Sequence, residues 1–109
     1  MTLSTHVLDI SAGKPAANLE ITLYRSSGDA REELARGRTD ADGRIPSPFG
    51  GELEAGDYEL LFNAGEYFAH SNTRSFYTAI PVRFTLSSGA HYHVPLLLSP
   101  HGYSTYRGS

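Results

Sequence analysis

His91-Tyr92-His93-Val94-Pro95-Leu96-Leu97-Leu98 is the stretch on which the reading of the fold turns. At a period of two, Tyr92, Val94, Leu96 and Leu98 make one face of a strand, and His91, His93, Pro95 and Leu97 make the other. Apolar side chains therefore stand on both faces, and a strand of that kind needs cover on both sides. One cover is the facing sheet of a sandwich. The other, in a chain this short, is most economically a second subunit, so the pattern predicts an oligomer. Pro95 has no N–H to give to a ladder, which predicts a bulge or a one-sided pairing at that point.

The flanking segments carry simpler patterns. Leu19, Ile21 and Leu23 alternate with polar residues, as do Tyr58, Leu60 and Phe62, and as do Ile80, Val82, Phe84 and Leu86. Each has a single apolar face, the mark of a half-buried strand in an all-β sandwich. Pro81 falls on the outward side of its strand, which predicts a sheet edge. His6 shares a face with Leu8 and Ile10, while Val7 points the other way. Turn residues recur between these segments, at Gly13-Lys14-Pro15, Ser26 to Asp29, Asp40 to Gly43, Pro46 to Gly51, Ala55 to Asp57, Ser87 to Gly89 and Ser99 to Gly102. The exception to strand is Gly65 to Ser71, which predicts about two helical turns before Asn72. Ser99 to Ser109 follows directly on the most apolar strand, and its tyrosines, arginine and small residues suit a folded wall better than a frayed end.

Composition narrows the class. A chain of 109 residues supports one domain, here 1–109, that buries roughly 65% of its unfolded surface. It has no cysteine, hence no disulfide framework and no thiolate nucleophile, which suits a reducing compartment. The formal charge is −3, and the nine Lys and Arg are scattered; this argues against nucleic acid as a partner, because no basic stripe tracks phosphates. Met1 leads at once into Leu3-Ser4-Thr5-His6-Val7 without an apolar signal core, and no run approaches the ~20 apolar residues of a membrane span. A soluble, unexported protein with no membrane partner is expected.

Several residues could carry chemistry. His91 and His93 project from one strand face, and His-x-His is a zinc-ligand spacing for which His6 is a third candidate. The same histidines also suit acid–base catalysis near neutral pH, or packing with no chemical role. Arg44 follows the tight turn Asp42-Gly43, either as a solvated cation or as a planar clamp for an oxyanion or carboxylate; Arg107 carries the same two readings. Ser104 and Ser109 lack the Gly-x-Ser-x-Gly setting of an activated serine. Tyr103 and Tyr106 suit edge packing or contact with a substrate.

Taken together, Leu3-Ser4-Thr5-His6-Val7-Leu8-Asp9, Gly43-Arg44-Ile45, His91-Tyr92-His93-Val94-Pro95-Leu96-Leu97 and the terminal Tyr106-Arg107-Gly108-Ser109 closely resemble the 5-hydroxyisourate hydrolases, the transthyretin-like enzymes of urate breakdown. Gly13 to Ala16, Thr39 to Gly43 and Leu53 to Tyr58 resemble the wider prealbumin-type module and bear on fold alone. The terminal Tyr-Arg-Gly-Ser with His6, Arg44 and His93 separates the hydrolases from transthyretins proper. His101 and Thr78 depart from the residues usual in the family, both outside that set.

The resemblance implies a transthyretin/prealbumin-like sandwich of two four-stranded antiparallel sheets with one short helix, assembled as a homotetramer, a dimer of dimers. It implies hydrolysis of 5-hydroxyisourate, a bicyclic ureide whose six-membered ring water opens at an amide carbonyl on the way to allantoin, with no cofactor and no metal. His6, Arg44 and His93 are then the expected catalytic residues, and Ser104, Tyr106, Arg107, Gly108 and Ser109 the expected substrate-binding ones, in a channel between dimers. A transthyretin-type carrier that holds a small ligand without changing it is the alternative. The expected compartment is cytoplasmic, or peroxisomal for a eukaryotic source.

Overall fold

The computed structural model describes residues 1–108. Along them run β1 (Thr2–Asp9), β2 (Lys14–Pro15), β3 (Glu20–Ser27), β4 (Ala30–Arg38), β5 (Arg44–Ile45), β6 (Gly56–Phe62), α1 (Ala64–Ala69), β7 (Ile80–Leu86), β8 (His91–Ser99) and β9 (Gly102–Thr105). One sheet has the order β4-β3-β6-β7; the other has β2-β1-β8-β9, with β5 also paired to β1. The second sheet is thus five-stranded among the described residues, not four-stranded, because the turn at Asp40 to Gly43 lays a short extra strand on the open edge of β1.

The expectation of wholly antiparallel sheets is also corrected. β1 and β8 run parallel, in the register Thr2↔His91, Ser4↔His93, His6↔Pro95 and Leu8↔Leu97. A parallel pair needs a long crossover, supplied here by nearly the whole intervening chain. The pairing brings two segments from opposite ends of the sequence side by side.

Between the sheets, Leu3, Val7, Leu96 and Leu98 meet Leu19, Ile21, Leu23, Leu60, Phe62, Ile80 and Leu86, all essentially without solvent contact. These are the faces that the period of two predicts. Thr39, also buried, joins loops to this core: its hydroxyl donates to the Ala16 carbonyl at 2.6 Å and accepts from the Leu19 amide at 2.9 Å. β7 lies at a sheet edge with Pro81 exposed, as the proline requires. Pro95 brings no bulge. Its backbone faces β9, whose ladder ends at Leu96↔Thr105, and the Thr105 hydroxyl donates to the Pro95 carbonyl at 2.8 Å. The missing donor therefore falls in a gap, which is the one-sided pairing. The helix begins one residue earlier than predicted and ends at Ala69, with Asn72 in the left-handed region at φ 54°. β4 is almost wholly exposed and carries no apolar alternation, so pattern alone does not reveal it.

Candidate active site

Arg44 owes its position to a turn that its own sequence encodes. The Asp40 carboxylate accepts the amides of Asp42 and Arg44, each at 2.9 Å, and closes the loop on itself. Gly43 sits at φ +77°, and a Cβ there would run into the Val7 carbonyl oxygen, so glycine is needed twice over. The Gly43 carbonyl accepts the Val7 amide at 2.7 Å, docking the turn on β1. In this register Arg44 stands opposite His6.

Residues at paired positions share a sheet face. The outer face of the five-stranded sheet therefore carries Arg44, His6 and Pro95 in one row, Ser4 and His93 in the next, and Thr2 and His91 beyond. The His6 and His93 rings approach to 6.4 Å between centroids, tilted by 38°. His6 and His93 are half-buried, Arg44 exposed. Burial, and after it the neighbouring His6, His91 and Arg44, hold the His93 imidazole below its ordinary pKa of 6.5, while a hydrogen bond that the ring donates to the Ser4 backbone works in the other direction. Such a ring is neutral near pH 7 and able to take a proton.

His91 and His93 converge on a serine hydroxyl. Both are tied to Ser4, whose Oγ lies 3.1 Å from His91 Nε2 and 2.8 Å from His93 Nδ1. Among the described residues no trio of His, Cys, Asp or Glu has an arrangement that could hold a metal ion. Ser4 was not singled out by the sequence. Its spacing of two from His6 was a signal, but one that acquires meaning only once β1 pairs with β8.

The tail divides. Gly108 reaches back to form an isolated bridge with His93, and its amide donates to the His93 carbonyl at 2.7 Å. Ser104 pairs with Leu97 and shares the outer face. Arg107 goes elsewhere: its guanidinium lies 4.4 Å from the ring centroid of Tyr92, a residue of the core face. Arg107 and Tyr106 line a groove of about 270 Å³ with Val82, Phe84, Tyr92 and Val94, at the open edge between β7 and the tail. The structure thus brings His6, Arg44, His93, Ser104 and Gly108 to one face and sets Arg107 on the sandwich edge. β9 stops at Thr105, so Tyr106 lies beyond the strand. Ser109 lies outside the described residues. His101 is exposed on the turn between β8 and β9, at the far end of β8 from His93.

Fold and site together define a transthyretin-type β-sandwich whose outer face is lined by histidines and an arginine. The chain belongs to the HIUase/Transthyretin family, whose model matches residues 3–108. It is 51% identical to the 5-hydroxyisourate hydrolase of Mesorhizobium japonicum, over 98% of this chain and 91% of that one. Among solved structures, the 5-hydroxyisourate hydrolase of Klebsiella pneumoniae superposes with a TM-score of 0.89 at 42% identity, covering 100% of both chains. Sea bream transthyretin, solved with thyroxine, matches with a TM-score of 0.91 at 28% identity, over 99% of this chain and 95% of that one.

Proposed function

We propose that this chain hydrolyses 5-hydroxyisourate in the breakdown of urate to allantoin, on the outer face built by His6, Arg44 and His93. It is a hydrolase of the transthyretin-like family, similar over almost its full length to enzymes of that name. The observation that carries the site is the convergence of two imidazoles with a guanidinium on one sheet face. Water attacks the amide carbonyl of the six-membered ring; one imidazole accepts its proton and the other orients water or substrate. Arg44 holds the ring oxygens and stabilises the charge that grows on the attacked carbonyl. The chemistry needs only water and proton transfer, so no cofactor enters the proposal.

Ser104, Tyr106, Arg107, Gly108 and Ser109 complete the pocket as substrate-binding residues. Because Arg107 rests on Tyr92 at the sandwich edge, its part in binding requires the tail to swing or a neighbouring subunit to present it. This agrees with a homotetramer in which the outer faces of paired dimers enclose the channel. The half-buried Leu97 and Leu8 beside the histidines supply apolar surface for such a contact.

Freshly generated 5-hydroxyisourate is expected to decay faster with the protein than without it, followed by loss of its ultraviolet absorbance. An unchanged decay with folded protein removes the enzyme reading. Saturable binding of a small ligand without turnover would instead make the chain a carrier, the reading that the likeness to transthyretin supports. Light scattering that returns a monomer at micromolar concentration would remove the shared channel.

A further inference from the structure

On the outer face, a single file of hydrogen bonds runs from a backbone carbonyl to His93. The Thr2 hydroxyl lies 3.3 Å from the Ala90 carbonyl oxygen and 3.0 Å from His91 Nδ1. His91 Nε2 is 3.1 Å from Ser4 Oγ, and Ser4 Oγ is 2.8 Å from His93 Nδ1. The parallel register of β1 and β8 stacks these groups in order.

The file has a direction. A carbonyl only accepts, so the Thr2 hydroxyl donates to Ala90, and its one proton is then spent. Thr2 Oγ1 must accept, and the donor is Nδ1–H of His91. A neutral imidazole carries one N–H, which leaves Nε2 of His91 as an acceptor for the Ser4 hydroxyl. Ser4 Oγ in turn accepts from Nδ1–H of His93. Neutral His93 is then left with its lone pair on Nε2. Reversing one link alone would put two protons or none between the same pair of atoms. The direction of the whole file is set by the Thr2 hydroxyl's bond to Ala90, whose oxygen also accepts the Thr2 amide at 2.9 Å.

We infer that Ser4 and His91 are positioning residues that hold His93 in the Nδ1–H tautomer, so that its Nε2 is the general base of the reaction. The word base rests on the hydrolase reading above; the tautomer does not. As the water oxygen bonds to the carbonyl carbon, its proton passes to His93 Nε2. The same proton then goes to the departing ring nitrogen as the C–N bond breaks, and His93 returns to its starting tautomer. Throughout, Ser4 keeps hold of Nδ1–H. The groups that face His93 are His6 from β1, Arg44 from β5 and His91 from β8, with the Gly108 backbone against its ring. The first three are cationic or can become so, which opposes a permanent charge on His93 and favours this shuttling role.

Long-range 1H–15N correlation spectra of the full-length protein, taken above pH 7, report which His93 ring nitrogen bears the proton. Wild type should show it on Nδ1. Ser4→Ala should lose that bias and lower kcat on the order of tenfold, with KM changed less than about twofold; Ser4→Thr should restore both. His91→Ala, at an exposed position, gives an independent variant with the same expected loss of bias should Ser4→Ala not fold. A wild-type proton on Nε2 overturns the inference, as does a Ser4→Ala enzyme with wild-type tautomer and kcat. A correct tautomer in a protein that leaves 5-hydroxyisourate untouched sinks the base and the hydrolase reading while the file of bonds stands.

Discussion

The His93 imidazole occupies the space where a side chain on Gly108 would begin: a Cβ built at residue 108 would lie 2.7 Å from His93 Cδ2 and 3.3 Å from His93 Cβ. The Gly108 amide meanwhile donates to the His93 carbonyl. The penultimate residue therefore holds both the backbone and the ring of a candidate catalytic histidine, and only glycine lets it approach so closely.

Gly108→Ala should push the His93 ring aside without disturbing the core. The expected result is a fall in kcat/KM of about 10- to 100-fold, the scale of loss that follows an ångström-sized misplacement, with the melting temperature close to wild type. Kinetics and a thermal melt on the same preparation check it. Removing Tyr106 to Ser109 should cost at least as much activity and likewise leave the sandwich folded.

His93→Ala should abolish most of the rate enhancement, a loss of roughly 100- to 10,000-fold in kcat for removal of a general base. Arg44→Ala should cost on the order of 100- to 1,000-fold. Arg44→Lys should recover only part of that, because a point charge lacks the planar fork. Initial rates under saturating substrate, compared with the uncatalysed decay, measure all three.

The pH dependence follows from the direction of the His93 shift. Its pKa in the folded state lies below the ordinary 6.5, so the base form predominates at neutral pH and the acid limb of the kcat/KM profile, which reports the free enzyme, should have its midpoint below 6.5. Stability responds in the same window. Below about 6.5 the unfolded chain binds a proton that folded His93 refuses, so this contribution is complete above 6.5 and is lost as pH falls toward the folded value. His93→Gln should flatten the drop in melting temperature between pH 7 and 5. A drop identical to wild type would show that other groups cause it.

Thr39 tests the fold independently of the site. Its hydroxyl serves the Ala16 carbonyl and the Leu19 amide in a buried setting, and valine would fill the same volume while stranding both. Thr39→Val should destabilise by about 1–3 kcal/mol in urea unfolding, with kcat near wild type in the folded fraction.

Much of the architecture was written in local patterns. The period of two in Leu19 to Leu23, Tyr58 to Phe62 and Ile80 to Leu86 named the core faces, because alternate side chains of a strand must part company. Pro81 marked an edge and Pro95 a one-sided pairing, since neither can donate to a ladder. Asp40 and Gly43 specified the turn before Arg44 through short-range bonds that any chain with those residues can form. The two apolar faces of His91 to Leu98 pointed to an outer surface with a purpose, and the terminal Tyr-Arg-Gly-Ser with His6, Arg44 and His93 pointed to the family.

Tertiary structure decided the rest. That β1 runs parallel to β8, in the register that sets Ser4 beside His93, depends on closing a loop of most of the chain, and no local propensity encodes such a partner. For the same reason the value of Ser4 and the closeness of Gly108 to His93 were invisible in one dimension. The extra strand at Arg44 and Ile45 arose where a docked turn met an unpaired edge, and the rest of Arg107 on Tyr92 where a tail met the rim of the sandwich. Residue types announced which groups could move a proton. Only the packing of distant segments determined which of their nitrogens stand free to do so.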